Sequence, residues 1–121
     1  MAQEPRSGGP NIEIDIEEHD SAIVLSIAGN ITELEADELS HTLDDLFEEG
    51  NYGLVLDLAD VDFMSSTGLG QIMRAYRIAQ QNGGFIRIAQ VQPLVEDVFR
   101  VTKLDKLLGI YDSVDEALEA E

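Results

Sequence analysis

The sequence predicts an α/β domain: a mixed sheet of four to five strands that opens with a β-hairpin, with about four helices packed on it. Three observations predict it. Apolar and acidic residues alternate from Ile12 to Ile16, a mostly apolar run occupies Leu54–Leu58, and residues at helical spacing fill the intervals between such runs.

In chain order, Ile12–Ile16 reads as a strand with one wet face, Glu17–Ser21 as a polar turn, and Ala22–Ala28 as a second strand folding back on the first. Gly29 and Asn30 end it. Thr32 followed by Glu35 has the form of a capping box, and Leu39, Leu43, Leu46 and Phe47 extend a helix over Glu33–Glu49, stopped by Gly50. Leu54–Leu58 has the apolar character of a central strand covered on both faces. After a loop at Ala59–Ser66, Leu69, Ile72, Met73 and Tyr76 mark a second helix, which ends at Asn82, Gly83 and Gly84. Phe85–Ala89 is a further strand. Pro93 opens a third helix through Val95, Val98 and Val101, Leu104–Tyr111 reads either as a helical turn or as a brief strand, and Ser113 with Glu116 caps a last helix.

The chain has 121 residues, 44% of them hydrophobic, enough for one core and one domain over residues 11–119. Met1–Pro10, MAQEPRSGGP, has the composition of a flexible tail and lacks the apolar run of a secretory signal. No segment approaches the roughly 20 apolar residues of a membrane span. Acidic residues number 25 against 7 basic ones, a formal net charge of -18, which argues against nucleic acid and anionic membranes as partners. With no cysteine there is no disulfide, thiolate metal site or cysteine nucleophile, and a cytoplasmic location is expected.

In sheets of this kind the working loops lie at the carboxyl ends of the strands, which directs attention to Ala59–Gly70. Here Ser65, Ser66 and Thr67 stand just before a helix, with Gly68 and Gly70 following. One explanation is structural, because a hydroxyl at a helix start accepts an otherwise unpaired backbone N–H. The other is functional, because the same place favours negative charge and therefore a phosphate. The two are compatible.

The stretch Phe63-Met64-Ser65-Ser66-Thr67-Gly68-Leu69-Gly70, between a strand and a helix, resembles the signature of the STAS family, the bacterial anti-sigma-factor antagonists. The likeness extends over about residues 11–119, which implies a STAS-like sheet. It further implies a partner switch. The unphosphorylated antagonist binds a serine-kinase anti-sigma factor and releases a sigma factor, the kinase breaks the complex by phosphorylating the antagonist, and a serine phosphatase resets it. The resemblance puts the phosphoacceptor on Ser66 and the docking face around Asn30, Thr32, Asp62, Ser65, Thr67 and Gly68. Two positions depart from the family pattern, Ser65 at the usual Asp of the motif and Thr32 at a frequently acidic position, so negative charge is lost beside the acceptor. The resemblance also admits a scaffold or transport-associated subunit that assembles through the same face without phosphorylation.

Other features carry less. Asp60 and Asp62 serve either turn chemistry or the docking face. The acidic clusters Glu13–Asp20 and Asp44–Glu49 have the character of solvated surface and lack the spacing of a calcium loop. His19 and His41 have no companion at ligand spacing, and Ser66 has neither a Gly-x-Ser-x-Gly elbow nor a histidine placed to activate it. The expectation is a binding module, monomeric or weakly dimeric, with no enzymatic activity, cofactor or metal.

Overall fold

The computed structural model describes residues 4–7 and 12–120. In chain order it contains β1 (Glu4–Ser7), β2 (Ile12–Glu18), β3 (Ile23–Ile31), α1 (Glu33–Glu48), β4 (Gly53–Met64), α2 (Ser66–Gln81), β5 (Phe85–Ala89), α3 (Pro93–Val101), a 3-10 turn (Leu104–Lys106), β6 (Gly109–Tyr111) and α4 (Val114–Glu119). The strands lie in one sheet in sequence order, β1 to β6. β1 pairs antiparallel with β2 and β2 antiparallel with β3, whereas β3 to β6 pair in parallel. The expected mixed sheet is thus formed by β2–β6 with four α-helices, and the ambiguous segment Leu104–Tyr111 supplies both a 3-10 turn and β6.

β1 adds a sixth strand from residues assigned on composition to the tail; it pairs Glu4 with Ile16 and Ser7 with Ile14 across a register shift at the edge. Pro5 is compatible with that edge position, where a missing N–H leaves no central ladder bond unmade. The rest of Met1–Pro10 lies outside the described residues.

Burial follows the periodicities. Leu25, Ile27 and Ile31 of β3, Leu54, Leu56 and Leu58 of β4, and Ile86 and Ile88 of β5 point to one face. Leu39, Leu43 and Leu46 of α1, Ile72, Ala75 and Ala79 of α2, and Phe99 of α3 cover them. Each fully buried aliphatic side chain of this kind contributes about 1.5–3 kcal/mol. On the other face Ala117 of α4 packs on Ala22, Val24, Val55 and Ala89, a smaller second core.

The largest departure from the sequence expectation concerns Ala59–Met64. This segment is not a loop: β4 continues to Met64, and β3 runs past Gly29 and Asn30 to Ile31. The two strands stay paired through Ala28↔Asp60, Gly29↔Val61, Asn30↔Phe63 and Ile31↔Met64, with register shifts between Ser26 and Ala28 and between Gly29 and Asn30. At each shift β4 carries one extra residue, which turns side chains away from strict alternation. Val61 and Met64 are consequently buried, while Asp60, Asp62 and Phe63 are exposed.

Candidate functional site

The ends of β3 and β4 set the position of the serine segment. The Ser65 N–H donates to the Ile31 carbonyl at 2.8 Å, so the chain leaves the sheet at a point fixed by strand pairing. Ser65 is the N-cap of α2 with extended backbone, φ -78 and ψ 168. Its Oγ accepts from the Gly68 N–H at 3.1 Å, and its carbonyl accepts from the Leu69 N–H at 3.0 Å.

Capping and exposure are therefore divided between two serines. Ser65 satisfies the helix, which leaves Ser66, the first residue of α2, with an exposed side chain that makes no hydrogen bond among the described residues. The first turn of α2 holds no acidic side chain, unlike those of α1, α3 and α4. A dianion on Ser66 would meet the positive end of the helix rather than a neighbouring carboxylate of its own turn.

The helix below is held firmly. Gly68 is buried, and a Cβ there would come within 2.8 Å of Ile31 Cγ2 and 3.0 Å of Met64 Cγ, so glycine lets the first turn close against the strand ends. Further along, Arg74 Nη2 meets Asp44 Oδ1 at 2.6 Å, tying α2 to α1. Both side chains are partly exposed, and such a pair contributes at most about 1 kcal/mol.

Around Ser66 the other singled-out residues lie near the carboxyl ends of β3 and β4, the two central strands. Asn30 is exposed at the end of β3. Thr32 caps α1, where its N–H donates to Glu35 Oε1 at 3.2 Å and its hydroxyl donates to the same carboxylate. That carboxylate is buried beneath the exposed Thr32. Asp62 is exposed and accepts from Gln92 Nε2 at 3.3 Å, while the same amide donates to the Ala59 carbonyl at 2.8 Å. Because Gln92 caps α3, this contact ties the start of that helix to β4. Ser65 and Thr67 are half-buried, and Gly68 lies beneath the surface, so it contributes packing to the face rather than area.

Two residues that sequence reasoning missed belong to the same strand ends. Phe63, opposite Asn30 in the register, is 51% exposed, and Leu34 in the first turn of α1 is 61% exposed. An apolar residue in a strand is ordinarily read as core, and nothing in the residue order announces the shifts that turn Phe63 outward. An exposed aromatic beside polar residues is the composition of an interface centre.

Other chemistry lies elsewhere. His19, in the β2–β3 connection at the opposite end of β3, makes a hydrogen bond with Glu17 at 3.1 Å. His41 is exposed on α1. Among the described residues no group of three or more histidines, cysteines or carboxylates is placed to hold a metal ion, and no helix is long and apolar enough to cross a membrane.

Comparison with known proteins agrees with this arrangement. The family model described as STAS domain matches residues 13–117. The chain is 28% identical over 109 residues to the anti-sigma F factor antagonist of Paenibacillus polymyxa, covering 89% of this chain and 93% of that one. It is 30% identical over 100 residues to the anti-sigma-B factor antagonist of Bacillus subtilis, covering 83% and 91% respectively. Among solved structures, an anti-sigma factor antagonist from Mycobacterium paratuberculosis superposes with a TM-score of 0.81 at 28% identity, over 93% of this chain and 95% of the other.

Proposed function

The chain belongs to the STAS domain family, and from that premise we propose that it is an anti-sigma-factor antagonist switched by phosphorylation of Ser66. In its unmodified form it docks on a serine-kinase anti-sigma factor and displaces a sigma factor. The kinase then transfers the γ-phosphoryl group of ATP to Ser66 Oγ. The new O–P bond forms as the bond to ADP breaks, and the hydroxyl proton passes to a base on the kinase. A serine phosphatase returns the hydroxyl by hydrolysis. The chain is a substrate and ligand in this cycle, not an enzyme, and it works in the cytoplasm, where ATP and sigma factors are found.

The observation that carries this reading is the exposed Ser66 hydroxyl at the start of a helix already capped by Ser65. A kinase reaches that oxygen without unfolding anything. Asn30, Thr32, Asp62, Ser65 and Thr67 form the polar part of the proposed docking face, with Phe63 and Leu34 as its apolar part. A phosphoserine brings about -1.5 to -2 charges, and an interface that loses about 4 kcal/mol loses about 1,000-fold in affinity. Desolvating such a dianion against a tight partner is a penalty of that order.

The test is incubation of the chain with ATP and candidate anti-sigma kinases, followed by mass-spectrometric location of the phosphate. Modification of Ser66 is the expected result. Phosphate found only outside residues 65–67 would remove the site assignment.

A further inference from the structure

Gly70 has no role in the fold. Among the described glycines, Gly29, Gly50 and Gly83 adopt positive φ, and Gly53, Gly68, Gly84 and Gly109 would each place a Cβ within 3.0 Å of another atom. Gly70 does neither: its φ is ordinary, and an added Cβ would meet nothing within 4 Å. It is exposed in the second turn of a 16-residue helix, where glycine is destabilising relative to alanine because it has more backbone freedom to lose. The chain thus carries a local instability that its own packing does not explain.

Gly70 stands four residues after Ser66, so the two occupy the same face of α2 one turn apart. Resting on the reading of Ser66 as phosphoacceptor, we propose that Gly70 is a close-approach position for the docked kinase, whose main chain lies against the Ser66–Gly70 turn. A side chain at position 70 would hold that main chain away from the helix, and with it the Ser66 hydroxyl from the bound nucleotide. Gly68 and Gly70 then divide the work: the first admits the strand ends from below, the second admits the partner from above.

The partner's chemistry follows from what surrounds this turn. Glu33 and Asp62 are exposed near the ends of β3 and β4, and Phe63 and Leu34 supply apolar area. The complementary surface is a main-chain segment flanked by an apolar seat and by Arg or Lys side chains.

The test compares the wild-type chain with Gly70→Ala, using whichever anti-sigma kinase modifies Ser66 of the wild-type chain. Thermal melting of the free chain is expected to rise by about 3 °C in the variant, since the helix gains a better former. Kinase binding and the kcat/KM for Ser66 modification are expected to fall about tenfold or more, because a methyl group is forced into a packed contact. Gly70→Ser, only slightly larger, is expected to show the same loss of binding without the full thermal gain. Equal modification of all three chains would overturn the role of Gly70 while leaving Ser66 as acceptor. Failure of every kinase to modify Ser66 in the wild-type chain would overturn both, and a lowered melting temperature in Gly70→Ala would show that the fold needs this glycine after all.

Discussion

The backbone N–H of Ser65 donates to the carbonyl of Ile31 across the ends of β4 and β3 at 2.8 Å. This bond makes the start of α2 a property of strand register rather than of a mobile loop. Ser66 is therefore presented at a fixed place past the carboxyl end of the central strand β4, beside the start of α1 at Thr32. On the proposed reading, the docking kinase would meet a pre-positioned hydroxyl, with little ordering entropy left to lose.

Ser65 supplies the side-chain cap of α2, and its removal has a measurable cost. Ser65→Ala is expected to lower unfolding stability by about 1 kcal/mol in urea titrations. Ser65→Asp keeps an accepting oxygen and adds charge at the positive helix end, so it should recover the loss. Identical midpoints for the two variants would contradict the capping role.

Gly68→Ala forces a Cβ to within 2.8 Å of Ile31 Cγ2. Overpacking of this kind costs about 1–3 kcal/mol, against a gain of up to about 1 kcal/mol from helix propensity. The net expectation is destabilisation, read as a lowered denaturation midpoint with an unchanged urea slope. A midpoint above wild type would mean that Ile31 and Met64 yield freely.

Phe63 is 51% exposed, so Phe63→Ala should cost the free chain only about 1 kcal/mol of stability. In the docking face proposed above it should matter to binding, with a loss of at least about 1 kcal/mol, or fivefold or more in affinity, by calorimetry against an anti-sigma kinase that modifies Ser66. Unaltered affinity would put the interface elsewhere.

Substitutions at Ser66 should separate fold from switch. Both Ser66→Ala and Ser66→Asp alter an exposed side chain, and each is expected to keep unfolding stability within about 0.5 kcal/mol of wild type. Ser66→Ala should bind the partner constitutively, and Ser66→Asp should bind it weakly. Equal affinities would defeat the electrostatic account.

Much of this fold is legible in the residue order, because the signals are local. The period-two alternation at Ile12–Ile16, the Thr32–Glu35 box and the Leu39, Leu43 and Leu46 stripe each report an element formed largely by its own residues. The cap of α2 is local in the same way, since Ser65 Oγ bonds the next turn of its own chain, although where that turn sits depends on strand pairing. What the order conceals is non-local. Asp60 and Asp62 give Ala59–Met64 the look of a turn, yet pairing with Ala28–Ile31 extends the strand through it, and the register shifts there turn Phe63 outward. Pairing likewise recruits Glu4–Ser7 to the sheet edge although the segment contains Pro5 and is followed by Gly8, Gly9 and Pro10. Gly68 and Gly70 look alike in the motif, and only the strand ends beneath the helix distinguish them.

The most direct measurement is the affinity of one anti-sigma kinase for the chain before and after stoichiometric phosphorylation at Ser66, with circular dichroism confirming that the fold is retained. The account predicts tight binding of the unmodified chain and a loss of about 1,000-fold on modification, without change in helix content. Equal binding of the two forms would contradict it.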